Sequence, residues 1–342
     1  MRFAFSREQL MFRDTTRDLL SRRCPPAAVR AAWLAPSGRV PGLWASLAEL
    51  GIVGLTIPEA QGGLGLDEID LVLVLEEAGR AAAPEPLLET IAVGAPLLRD
   101  AGTPALRDAW LPRVAAGDAV ISVGLEGAAH VAFAGEADLL LLQRGDELHA
   151  LTRADVALTA EPSVDGARRL SSVAWTPADR TRFAAGPEAL RAAALAFDRG
   201  ALAAAAVLAG LGRRMLDLTV AYVQVRHQFG KPIGSFQAVK HHLAGALVKL
   251  ELALPLVHRA AHSLARADPD HPLHVSMAKA HASEAALLAA KVALQCHGAI
   301  GYTVEHDLHL WMKRAWALAA AWGDAAFHRG RVGAAILDAG GR

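Results

Sequence analysis

Two stretches of this chain gather polar and flexible residues whose types could do chemistry. The first runs from Arg226 to Gln237 and reads RHQFGKPIGSFQ. Arg226 brings a guanidinium, which forks onto the paired oxygens of a phosphate or carboxylate. Phe229 and Gly230 bring an aromatic ring and a turn, and Gln237 brings a carboxamide. The second stretch lies about seventy residues on and reads QCHGAIGYT, with Gln295, Gly298, Ala299, Gly301 and Tyr302. Its glycines let a backbone approach a phosphate closely. Each group also has a plain structural use. Arg226 suits a helix C-terminus, where the macrodipole favours a cation. Phe229 and Gly230 suit a turn around an aromatic ring, Gln237 a helix start, and Gly298 and Gly301 the end of a helix.

Histidines crowd the same half of the chain: His241, His242, His297, His306 and His309. His306 and His309 stand three apart, yet no HExxH or paired Cys/His pattern frames them. They are expected on a solvated helical face, with no metal site. Cys24 and Cys296 permit one disulfide at most and form no CxxC site.

The elements that must position these residues can be read along the chain. Residues 1–118 read as an N-terminal helical domain, opened by a capping box of Ser6 and Gln9. The segment GLWASLAELG ends at Gly51, and Pro58, Gly62, Gly63 and Gly65 mark a loop. Asp67 then caps another helix. Residues 119–182 hold short apolar or alternating runs cut by Gly, Asp and Pro, which is strand chemistry and predicts a small middle β domain. Residues 187–342 return to helix, in long segments separated by the HQFGKPIGSF loop, the DPDHPLH turn and the AIGYT stretch, and the last segment, about 306–337, is also expected to be helical.

Composition narrows the function classes. Hydrophobic residues make up 53% of the 342 and charged residues 20%, which excludes a disordered chain. Lys and Arg number 35 against 35 Asp and Glu, so no basic surface argues for nucleic acid or an anionic membrane. The most apolar stretch, Ala192 to Leu211, contains Asp198 and Arg199 and fits a buried helix better than a membrane span. The N-terminus has no apolar core like that of a secretory signal, so a cytoplasmic protein is expected.

The two stretches resemble the last domain of the acyl-CoA dehydrogenase family, which carries RxxFGxPIxxFQxxxxxLA and, some seventy residues on, QxxGGxGYT. The segment LGIVGLTIPEAQGGLGL resembles the family's N-terminal loop. The resemblance implies a mainly α fold with a small β domain: N-terminal helices, a small middle sheet and a C-terminal four-helix bundle. It implies FAD as cofactor and 2,3-dehydrogenation of an acyl-CoA thioester, with electron-transfer flavoprotein as acceptor. It assigns flavin contacts to Arg226, Phe229, Gly230, Gln237, Gln295, Gly298, Ala299 and Gly301, the last group reaching the flavin of a neighbouring subunit. Ala299 replaces the motif's second glycine. The middle region, SVGLEGAAHVAFAGEADLLLL followed by LTAEPSVDG, lacks the family's TEPxxGSD and GxKxxI stretches and is shorter by dozens of residues.

The family's base is a carboxylate that takes the α-proton, and neither of its known positions carries one here. The usual position is Trp322, followed by Gly323 and by Asp324 where a threonine is common. The other position is Gly200, close to Asp198 and Arg199, where Asp198 reads as a buried aspartate paired with an arginine. Three readings follow. The chain resembles the base-lacking subunit of actinobacterial heteromers that oxidise steroid side-chain thioesters. Alternatively it is a self-sufficient enzyme, on its own or as a homo-oligomer, with Asp198 or Asp324 as an unusual base. The third reading is a flavin-free scaffold or binding protein of the same fold.

Overall fold

The computed structural model describes residues 4–337; the last five residues of the expected C-terminal domain lie outside them. Helix α1 (Arg7–Arg23) opens on the capping box: Ser6 Oγ accepts from Gln9 N at 3.2 Å and Gln9 Oε1 from Ser6 N at 2.9 Å. Helices α2 (Pro26–Leu34) and α3 (Leu43–Glu49) follow, the latter turned off at Gly51 with φ +74°. In the next loop a Cβ on Gly63 would lie 2.1 Å from the Ile57 carbonyl oxygen, so only glycine fits. Asp67 caps α4 (Glu68–Arg80), its Oδ1 accepting from Ile69 N at 2.8 Å. A fully buried π-helical turn, Leu87–Gly94, leads into α5 (Ala95–Ala101), and α6 (Pro104–Ala115) completes the helical region.

The strand region forms two sheets. Strands β1 (Ile121–Gly124), β3 (Leu139–Arg144), β4 (Glu147–Leu151) and β7 (Arg182–Ala185) make one, ordered β1-β3-β4-β7 with β1 and β3 parallel. Strands β2 (Val131–Ala132), β5 (Ala157–Glu161) and β6 (Leu170–Ala174) make the other, ordered β2-β6-β5. The run LLLL in β3 is buried on both faces, as a central strand requires. β7 lies beyond the alternating runs legible in the sequence and carries the sheet to Ala185.

Helix α7 (Gly186–Val225) is the one described helix long and apolar enough to cross a membrane, and 78% of its most apolar stretch is buried inside the protein. A two-stranded ribbon follows, β8 (His227–Gln228) and β9 (Lys231–Pro232), then α8 (Gln237–Ala265). Helix α9 (His271–His297) begins within the stretch expected as a turn, because Pro272 fits the first helical turn, where its missing N–H costs nothing. A 3₁₀ turn (Gly298–Tyr302), α10 (Leu308–Ala320) and α11 (Ala325–Leu337) close the described chain. The segment expected as helical over 306–337 is two helices, broken at residues 321–324 where Trp322 (φ +55°) and Gly323 (φ +82°) take left-handed backbone.

Contacts divide the chain into two compact units, Met1–Arg30 with Val72–Ala83 and Ala201–Arg342, and Ala31–Leu71 with Pro84–Gly200. In the first, α4 and α7 cross backbone to backbone: a Cβ on Gly210 would sit 1.9 Å from the Glu76 carbonyl oxygen. Gly212 meets Leu250 of α8 and Ala286 of α9, and α8, α10 and α11 all pack on α9. The buried face of α9 is largely alanine, including Ala278, Ala282, Ala285, Ala286, Ala289 and Ala293, which lets its neighbours come close. In the second unit the Thr90 hydroxyl ties the π-helical turn to β1, donating to Ile121 O at 2.9 Å, and Arg39 Nε meets the buried Glu85 at 2.7 Å.

Candidate functional site

Both stretches singled out in the sequence belong to the first unit. Helix α7 ends with Arg226 N donating to Tyr222 O at 2.9 Å, and Ile233 N returns to Arg226 O at 2.8 Å. Between them the β8–β9 ribbon turns through Phe229 (φ +54°) and Gly230 (φ +78°), the paired left-handed residues of a tight hairpin. Phe229 is 90% exposed at the tip, edge-on to Phe236 at 6.1 Å, over which Lys231 Nζ stands at 4.5 Å. Arg226 and Gln237 are exposed too. A shallow groove of ≈ 500 Å³ runs beside the ribbon, with Val223 and Pro232 among its apolar lining and Lys240 at its edge.

The second stretch ends α9. Gly298 takes φ +66° and ψ −142°, a conformation that is essentially glycine's alone. Nothing lies within 4 Å of where a Cβ would stand on Gly298, and the same holds for Gly230. Gly301 is the opposite: it is buried, and a Cβ there would meet His297 Cβ at 2.9 Å. Gln295 and Ala299 are exposed.

Three of the five histidines depart from the solvated helical face expected for them. His241 and His242 are exposed on α8, but His297 and His309 are buried and His306 is half-buried in a turn. The His297 ring stacks on Tyr222 at 4.3 Å and meets His306 edge-on at 4.6 Å. Burial holds the His297, His306 and His309 imidazoles below the ordinary histidine value; nearby Arg30 depresses His306 and His309 further. Arg30 clamps this turn from α2, reaching Asp307 Oδ1 at 2.7 Å and the carbonyls of Val304 and Glu305. No group of three or more His, Cys, Asp or Glu able to hold a metal exists among the described residues. Both cysteines are free thiols, so the possible disulfide does not form.

The turn after α10 is closed. Lys279, fully buried on α9, donates from Nζ to Ala319 O (3.1 Å), Gly323 O (2.9 Å) and Ser283 Oγ (3.1 Å). A cation there satisfies carbonyls that the helix end leaves open and complements its dipole. His328, also fully buried, donates from Nε2 to Trp322 O at 2.8 Å, so its Nδ1 accepts from Ser276 Oγ at 3.2 Å. Asp324 Oδ1 accepts from Phe327 N at 2.8 Å, capping α11. The sequence offered one clue to this arrangement, a lone lysine in the apolar run SMAKAHASEAALLAA, and none for His328.

In the second unit, Asp198 and Arg199 are buried near the C-terminal end of that unit's part of α7, beside Gly200. Arg199 Nε reaches Glu68 Oε1 at 2.7 Å and its NH1 reaches Asp100 Oδ2 at 2.6 Å. Burial opposes the Asp100 charge, but Arg99 and Arg199 together hold its carboxyl below the usual range. The arginine beside Asp198 is thus engaged with two other carboxylates.

Comparison with known proteins agrees with this architecture. Residues 190–337 match the acyl-CoA dehydrogenase C-terminal domain and residues 6–118 the N-terminal domain of the same family. The acyl-CoA dehydrogenase IpdE2 of Mycobacterium tuberculosis is 36% identical over 311 residues, 90% of this chain and 91% of its own. Its namesake in Mycolicibacterium smegmatis is 38% identical over 313 residues, 91% of this chain and 93% of its own. The fold superposes on the ChsE4-ChsE5 complex from M. tuberculosis with TM-score 0.90 at 23% identity, covering 99% of each chain. With both terminal domains matched and relatives of this similarity spanning nearly its whole length, the chain belongs to the acyl-CoA dehydrogenase family.

Proposed function

We propose that this chain is a flavin-dependent subunit for 2,3-dehydrogenation of a bulky acyl-CoA thioester. It works beside a second family subunit that carries the catalytic carboxylate. The observation that carries this reading is the closed turn at residues 321–324. Trp322 stands at the family's usual base position, its carbonyl is held by His328, and the neighbouring carboxylate of Asp324 is spent on the α11 cap. Gly200, at the other base position, has no side chain.

The residues present fit FAD. Gly230 and Gly298 leave open space where a side chain would stand, and Arg226 is exposed at a helix end. Arg226 would pair with the pyrophosphate, Phe229 and Gly230 would lie beside the adenine, and Gln237 would add a polar contact. Gln295, Gly298, Ala299 and Gly301 would offer backbone to a flavin shared with a neighbouring subunit. FAD, when bound, supplies the hydride acceptor, and the partner's carboxylate takes the α-proton. An electron-transfer flavoprotein is the fitting acceptor for the reduced assembly. The naming of ChsE4-ChsE5 as a complex supports the pairing, and the naming of the IpdE2 relatives as acyl-CoA dehydrogenases supports the reaction.

The test is to prepare the chain alone and with a co-expressed family subunit that keeps its carboxylate, then record the visible spectrum and turnover. Flavin colour with turnover in the mixture only is the expected result. Turnover by the chain alone overturns the reading in favour of a self-sufficient enzyme, and flavin in neither preparation in favour of a scaffold. Asp198→Asn in the mixture is expected to stay within about twofold of the parent. A loss of about 100-fold, the scale of general-base catalysis, would make Asp198 the base.

A further inference from the structure

The two stretches assigned to the flavin are far apart in sequence, yet one ring joins them. His297 immediately precedes Gly298, and Tyr222, on which it stacks at 4.3 Å, sits one helical turn before Arg226 and accepts its N–H at 2.9 Å. The Tyr222 hydroxyl also lies 3.5 Å from the His297 carbonyl oxygen, at the last residue of α9. On its other side His297 meets His306, whose turn is clamped by Arg30. Gly301 then folds back until its α-carbon faces His297 Cβ, a contact that a side chain would block.

The imidazole contributes shape more than polarity. Its Nδ1 donates to Ala293 O at 2.8 Å, as a residue on the last helical turn can, while its Nε2 is buried without a hydrogen-bond partner. Leaving a buried ring nitrogen unpaired costs stability, so the ring's place between Tyr222 and His306 must compensate.

We propose that His297 is a positioning residue: its ring, held between Tyr222 and His306, locks the Arg226–Gly230 hairpin to the Gly298–Tyr302 turn so that the two meet one ligand as a single surface. The ligand's identity as flavin rests on the function proposed above; the coupling itself does not.

Hydrogen exchange followed by mass spectrometry on the full chain tests the coupling without flavin. His297→Ala is expected to speed exchange about tenfold or more in peptides covering both 222–233 and 298–303, while α8 is unchanged. His297→Phe, which keeps a ring in the stack, is expected to bring both regions back to within about twofold of the parent. Tyr222→Leu reaches the lock from the other side and is expected to loosen 298–303 with His297 intact, so the proposal stays testable if His297→Ala does not fold. Loosening of 298–303 alone in His297→Ala, or no effect of Tyr222→Leu on that turn, overturns the proposal. In a flavin-bearing assembly His297→Ala should also lower flavin retention and His297→Phe restore it. Coupled exchange with unchanged retention would leave the lock standing and overturn the assignment of these stretches to flavin.

Discussion

The turn after α9 and the turn after α10 both break a helix with a glycine at positive φ, and they differ in what surrounds it. Around Gly298 (φ +66°) no atom comes within 4 Å of the missing side chain. Around Gly323 (φ +82°) the ring of Phe327 and Nε2 of His328 would lie 2.6 and 2.8 Å from it. The first turn leaves backbone open to a ligand. The second is filled by the protein's own groups, with Lys279 drawn in to satisfy its carbonyls. On the function proposed above, the contrast separates a turn left for a ligand from a turn made into structure.

The widest gap between the two turns is expected on adding one methyl group to each. Gly323→Ala meets both backbone strain and a collision with Phe327 and buried His328, together about 4 kcal/mol of lost stability. Gly298→Ala meets strain alone, about 1–2 kcal/mol, with flavin retention by the assembly reduced more than stability. Equilibrium unfolding of the two variants measures the difference. Equal losses would mean that the second turn yields as easily as the first and is not a packed element.

Lys279→Met removes the cation and keeps an apolar side chain of similar length. The carbonyls of Ala319 and Gly323 lose their donor in a buried setting, for an expected loss of about 3 kcal/mol in unfolding free energy. A loss under about 0.5 kcal/mol would show that water replaces the lysine there and that the turn is open after all.

How far the sequence foretold these turns depends on what each signal was made of. The open one was legible because its glycine spacing is a local pattern, and the capping box of Ser6 and Gln9 was legible for the same reason. Trp322 could be read as an absence of carboxylate, but not as part of a closed turn. That closure comes from Lys279 and His328, whose contacts run from α9 to the end of α10 and from α11 back to α9. Nothing in the local sequence around 321–324 records them. His297 was misread for a related reason: counting spacings along one helix misses that Tyr222, 75 residues before it, supplies the ring it stacks on. The second sheet was hidden because its strands pair out of order, β2 with β6 and β6 with β5.

Asp324 gives the smallest expected effect and the sharpest division between the two uses of that turn. As the cap of α11, its carboxylate accepts from Phe327 N at 2.8 Å. Asp324→Ala should therefore cost about 1 kcal/mol of stability, and Asp324→Asn almost nothing, since asparagine caps as well as aspartate. A base behaves differently. Asparagine cannot take a proton, so a catalytic Asp324 would lose about 100-fold in turnover on Asp324→Asn while stability held. The expected outcome is a stability loss confined to the alanine variant, with turnover of the assembly within about twofold of the parent in both. A turnover collapse in the asparagine variant would return the second turn to catalysis, and the contrast with Gly298 would then be one of shape alone.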